Sequence, residues 1–123
     1  MKSEVKSDSA PQPAGPYSQA VDAGAVYCAG QLGIDRASGR LEEGIAAQTS
    51  RALTNLESVL SAAGLGLRNV VKTTVFLADL AEYSAMNEEY ARHFEQPYPA
   101  RTTVGAAALP RGARVEIDAV AVR

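Results

Sequence analysis

Two charged residues in the stretch "PARTTVGAAALPRGARVEIDAVAVR" are of types that could do chemistry together, Arg101 and Glu116. An arginine offers a planar, two-pronged donor that grips a carboxylate. A glutamate can take a proton from water. Thr103 and Gly105, small or hydroxyl-bearing, would leave room for a ligand beside Arg101. The same charges could instead bridge each other or their neighbours, the commoner use of such pairs. Periodicity alone does not separate the two readings.

Both residues need strands to hold them. In an extended run Arg101, Thr103 and Gly105 share one face, and Thr102, Val104 and Ala106 the other. Farther on, Val115, Ile117 and Ala119 form an apolar face, with Glu116 and Asp118 opposite on a side that Val120 and Val122 continue. A glutamate on a face that turns apolar sits near a covered boundary, where a buried ion is costly unless a partner or ligand meets it.

Upstream, "SQAV" and "AVYCAG" read as short strands around the turn "DAG", and "GQLGIDRASGR" as a turn with a brief strand. Ala52, Leu53, Leu56, Val59, Leu60 and Ala63 follow helical spacing between Ile45 and Ala63, and Gly64 is the natural stop. "NVVKTTVFLA" is a β-branched strand with Val71, Thr73, Val75 and Leu77 on one face. Asp79 and Glu82 have capping-box spacing at the start of a second helix, whose stripe is Leu80, Tyr83, Met86 or Asn87, Tyr90 and Phe94. A helix between strands predicts a parallel pair. The expected class is α+β, a mixed sheet with two helices on one face, and the other face then needs a partner, which predicts an oligomer.

Composition narrows the rest. The 123 residues suit one domain spanning 1–123, with polar, Pro-punctuated residues 1–12 as a loose arm. Twelve basic against fourteen acidic side chains and 6% aromatics argue against a nucleic-acid partner. A lone cysteine excludes an internal disulfide, and one histidine with one cysteine cannot build the usual zinc sites. No apolar run suits a membrane helix, and the opening residues lack a secretory h-region, so a cytoplasmic protein is expected.

The segments "AGPYSQAV", "VYCAGQLG", "VVKTTVFLADL", "NEEYARHF", "PARTTV" and "VEIDAVAV", in this order, resemble the Rid family of reactive intermediate deaminases, also called the YjgF-type translation-inhibitor family. The similarity runs from about Ala10 to Val122. It implies a chorismate-mutase-like fold and a homotrimer with ligand clefts between subunits. It further implies cofactor-free hydrolysis of 2-imino and 2-enamino acids, such as 2-aminoacrylate, to 2-keto acids and ammonia. By the same resemblance Arg101 holds the substrate carboxylate and Glu116 positions or activates the attacking water. Tyr17 and Asn87 line the cleft, and Gly30 supplies backbone contacts. The substrate is then a small carboxylate, and no metal is implied.

Thr103 stands where the family often carries a cysteine, and Ala29 where it often carries a serine; Gly105 and Ala108 also depart from a charged norm. Thr103 can donate a hydrogen bond but cannot do thiol chemistry. These departures keep a non-catalytic carboxylate binder or metabolite sensor in view, with a ribonuclease or translation inhibitor ranked last. Taken without the resemblance, Tyr17 reads as a packing tyrosine and Asn87 as a polar helix residue. Cys28 reads as a small core residue, His93 as solvated or dipole-pairing, and Lys72 as a solvated strand-face lysine.

Overall fold

The β-branched and aromatic runs pair into one six-stranded sheet in the computed structural model, which describes residues 1–123. The strands are β1 (Ser3–Val5), β2 (Ala20–Ala23), β3 (Ala25–Leu32), β4 (Val70–Leu77), β5 (Ala100–Gly105) and β6 (Val115–Ala121). Their order is β1-β2-β3-β6-β4-β5, which leaves β5 as an edge. Only β4 and β5 run parallel; helix α2 (Tyr83–Ala91) joins them, as the strand–helix–strand pattern predicts.

Helix α1 (Ile45–Ala62) turns its apolar stripe onto the sheet. Ala52, Leu53, Leu56, Val59 and Leu60 are fully buried and share one core with Val75, Leu77, Val115, Ile117 and Ala119. Each buried leucine contributes about 1.5–3 kcal/mol by leaving water. The helix stops where expected. Gly64 is left-handed (φ 76°), and the amides of Gly64 and Leu65 return to the carbonyls of Ser61 and Leu60 at 3.0 and 2.9 Å. Asn55, a buried polar residue on α1, donates to the carbonyls of Leu32 and Ile34 and so ties the loop after β3 to the helix.

Five sequence expectations are corrected. Residues 1–12 are no loose arm. Strand β1 pairs with β2, Ala10 is wholly buried, and the buried Gln19 amide bonds both the amide and carbonyl of Ser7 and the carbonyl of Pro11. That same Gln19, with Ser18, precedes β2 rather than lying in it. Asp79 caps only a short 3-10 turn, Leu80–Glu82, ahead of α2, accepting from the Ala81 amide at 2.9 Å, and Glu82 bonds Arg114 at 2.7 Å instead of reaching back. Val71 leaves the buried face because the β4–β6 register shifts between Val70 and Lys72, and Leu80 and Tyr83 stay exposed while Met86, Tyr90 and Phe94 are buried.

The sheet face away from the helices is the uncovered one. It carries Tyr27, Phe76, Val104 and Val120, with Tyr27 54% and Val104 39% exposed. No helix is long and apolar enough to cross a membrane.

Candidate active site

Arg101 lies on edge strand β5 opposite Thr73 of β4, and pairing puts both on the helix side of the sheet. There α2 presents Tyr83, Asn87 and Tyr90 at helical spacing. Arg101 Nη2 donates to Asn87 Oδ1 at 2.7 Å and to the Tyr83 hydroxyl at 3.2 Å. Its guanidinium carbon lies 4.8 Å from the Tyr90 ring centre and 5.6 Å from that of Tyr83, within cation–π range. The Tyr90 hydroxyl shares a buried 2.8 Å hydrogen bond with Thr73 Oγ1, which fixes the ring beneath the arginine. Asn87 and Arg101 open, with Tyr98 and Pro99, onto a cavity of about 290 Å³.

No carboxylate pairs with Arg101, so its fork is oriented but not neutralised. The Tyr83 phenol is held below its ordinary pKa, first by its hydrogen bond with Asn87 and then by Arg101. Thr103 Oγ1, two residues along the same face, is buried without a hydrogen-bond partner. Gly105 serves packing here, since a Cβ on it would stand 3.1 Å from Leu80 Cγ.

Glu116 belongs to a different place. It lies opposite Phe76 on the uncovered face of the sheet. Tyr17, Ala29, Gly30 and Glu116 line one cavity of about 550 Å³. Gly30 is needed for space: a Cβ there would overlap the Glu116 carboxylate and stand 2.9 Å from its Cγ and Cδ. Burial, and then the neighbouring Asp118 charge, push the Glu116 carboxyl above its usual range. Asp118 itself accepts from the Thr74 amide at 3.0 Å. Glu116 has no ion-pair partner in the chain. Tyr17 is 53% exposed, and its hydroxyl accepts from the Ala14 amide at 3.2 Å.

The chain therefore holds its candidate residues in two separate groups, Arg101 with Asn87 and Thr103, and Glu116 with Gly30 and Tyr17. A mutual Arg101–Glu116 bridge within one chain, open from the sequence, is excluded because the two occupy opposite sheet faces. Sequence reasoning left out Thr73 and Tyr90 as supports for Arg101. The strand and helix periods were visible, but the β4–β5 register that joins them was not. It also missed the Tyr83 hydroxyl, taken only as part of an apolar stripe.

Other residues resolve plainly. Cys28 is buried, as expected, and its thiol is pushed up to about 12, chiefly by burial. His93 is not solvated; its Nε2 pairs with Glu89 at 2.9 Å. Lys72 Nζ donates to the Thr73 carbonyl at 3.2 Å rather than standing free in water. No group of His, Cys, Asp and Glu side chains is arranged to hold a metal ion.

A mixed six-stranded sheet with two helices on one face defines a class that the comparisons identify. Residues 7–123 match the model of the endoribonuclease L-PSP family, and the chain belongs to that family. The resemblance drawn from the six motifs is borne out. The 2-iminobutanoate/2-iminopropanoate deaminase of Capra hircus is 47% identical, the alignment covering 97% of this chain and 88% of that protein. RidA from an Antarctic Psychrobacter is 40% identical with a TM-score of 0.95, over 98% of this chain and 99% of that one. TdcF of E. coli, solved with bound serine, is 34% identical with a TM-score of 0.94, over 98% of each chain.

Proposed function

We propose that this protein hydrolyses reactive 2-imino and 2-enamino acids to 2-keto acids and ammonia, in clefts between the subunits of a homotrimer. The observation that carries this reading is the split site. A carboxylate-gripping fork and a carboxylate base, each unpaired within its own chain, lie on opposite faces of one sheet. A cyclic assembly brings the Arg101 half of one copy against the Glu116 half of the next and covers the exposed sheet face in the same step. The relatives named 2-iminobutanoate/2-iminopropanoate deaminase, up to 47% identical over nearly the whole chain, support the reaction. The serine-bound relative supports a cleft of amino-acid size.

The chemistry needs few groups. Arg101 holds the substrate carboxylate through the guanidinium N–H groups that Asn87 and Tyr83 leave free, the two bonds from Nη2 keeping the fork in place. Thr103 has a hydroxyl free to bond ligand or water. Glu116 takes a proton from water as its oxygen bonds to C2 of the protonated imine, giving a neutral carbinolamine. Glu116 then gives that proton to the departing nitrogen and takes up the hydroxyl proton as the C–N bond breaks, releasing ammonia, leaving the C2 carbonyl, and returning to carboxylate by losing the proton to solvent. The imine carbon is already electrophilic, so no thiol is required and Thr103 is compatible with the reaction.

A dehydratase that uses pyridoxal phosphate, coupled to this protein, tests the reading. Keto-acid release should accelerate with wild type and return to background with Arg101→Ala and with Glu116→Gln. No acceleration by wild type, together with carboxylate binding that Arg101→Ala abolishes, would make the protein a carboxylate binder instead.

A further inference from the structure

The cavity that Glu116 lines is also lined by a second set of charges. Arg36 and Arg111 line it with Tyr17, Gly30 and Glu116. Neither guanidinium has an ion-pair partner, a state they share with Arg40, Arg68 and Arg101; of these five only Arg36 and Arg111 line this cavity. Both are nevertheless anchored. Arg36 Nε donates to the Asp8 carbonyl at 3.1 Å, and Arg111 Nη2 donates to the Gly39 carbonyl at 2.9 Å. Each bond orients a fork without cancelling its charge, and the other guanidinium N–H groups stay free.

Two acids line the same cavity, Glu116 and Asp35; neither forms an ion pair with these arginines, and Asp35 is already engaged. Asp35 accepts from the Ala37 amide and the Ser38 hydroxyl within its own turn, at 3.1 and 3.2 Å. Arg111 is also the only non-glycine residue with positive φ (61°), a conformation disfavoured for a residue bearing a Cβ. Its turn, Pro110–Gly112, precedes the strand that carries Glu116.

We propose that Arg36 and Arg111 form a subsite for the distal carboxylate of an imino dicarboxylic acid, so that imines derived from acidic amino acids are among the substrates. The inference rests on the imine-hydrolysis reading and names its substrate class. Arg101 of one copy takes the carboxylate next to the imine, Glu116 serves the carbon between, and the second carboxylate reaches the arginine pair. A fork held at one N–H loses little freedom on gripping an anion, which favours binding. Enzymes that oxidise acidic amino acids to imines are the class of reaction that would supply such substrates.

The test has a binding arm and a turnover arm. Calorimetric titration compares 2-oxoglutarate with 2-oxobutanoate, keto acids with and without the distal carboxylate. The variants are Arg36→Ala and Arg111→Gly, the second chosen because glycine accepts the left-handed turn. Wild type should prefer 2-oxoglutarate, and either variant should cut that preference about tenfold, the weight of one charge-assisted hydrogen bond. In the turnover arm, imines made by oxidases from aspartate and from leucine should show the same change in relative kcat/KM. Equal affinity of wild type for both keto acids, or a proportional loss for both in the variants, overturns the subsite. A preference that persists without turnover keeps the subsite and removes the deaminase reading; turnover without preference does the reverse.

Discussion

Arg101 and Glu116 stand on opposite faces of the same sheet, Arg101 paired with Thr73 on the helix side and Glu116 with Phe76 on the open side. Each is a charge without a counter-charge in its own chain. Their chemistry is complementary and their positions are not, so no single copy of the chain brings the two together.

That separation predicts rescue by mixing. Arg101→Ala and Glu116→Gln proteins should each be inactive alone. Unfolded together in equal amounts and refolded, the proposed trimer would, by random assortment, place an intact Arg101 against an intact Glu116 at about a quarter of its interfaces. Keto-acid release should recover to roughly that fraction of wild type. Activity no higher than the separate mutants would mean that both residues serve a site within one copy.

Glu116→Gln should also divide activity from stability. Burial raises the folded carboxyl above its usual value, so the neutral form is the one the fold prefers. Its contribution is complete below the ordinary glutamate range and is lost as pH rises through the raised value. At neutral pH the glutamine variant should therefore match or exceed wild type in Tm, while activity falls about 10²- to 10⁴-fold. The acid limb of kcat/KM should lie above that of an ordinary glutamate. Asp118→Asn removes the second cause of the shift, keeps an acceptor for the Thr74 amide, and should move that limb to lower pH. A limb that stays in place would show that Glu116 does not govern it.

Gly30→Ala tests the floor beneath the base. The added methyl would overlap the Glu116 carboxylate, and no positive φ constrains this glycine. The clash should displace the carboxylate and cost about 1–3 kcal/mol in transition-state stabilisation or in folding. The Gly30→Ala/Glu116→Ala double variant should recover the folding part, seen as a Tm at or above the single variant's. A fully active single variant would remove the close-approach argument.

Tyr90→Phe keeps the ring under Arg101 and deletes its hydroxyl. Thr73 Oγ1 then loses its only partner in a buried position, at a cost of about 1–3 kcal/mol. Chemical denaturation should show that loss. If the bond also aims the ring, KM should rise more than kcat falls. An unchanged denaturation midpoint would mean that water replaces the hydroxyl.

Much of this was legible in the chain. Leu53, Leu56 and Leu60 mark α1 by spacing, Gly64 marks its end, and alternation put Arg101 and Glu116 on the faces where they stand. What stayed hidden was set by pairings distant in sequence. A register shift at Val70 and Lys72 turns Val71 outward, and no local pattern announces it. Arg114 outcompetes the helix start for Glu82 across 32 positions. The polar opening residues look unstructured until Gln19, itself buried, satisfies Ser7 and Pro11. The split of the site was equally hidden, since parity assigns each side chain a face but does not say which faces will meet.

The burial of Cys28 makes the protein a convenient host for optical labels. With its thiol pushed up to about 12, essentially none is thiolate at neutral pH, and maleimide dyes would pass it by. A cysteine introduced at exposed Ser38 would then be the sole reactive thiol, with no need to rebuild the core first. Donor- and acceptor-labelled batches, mixed and refolded, would report by energy transfer how many copies share one particle and how quickly they exchange.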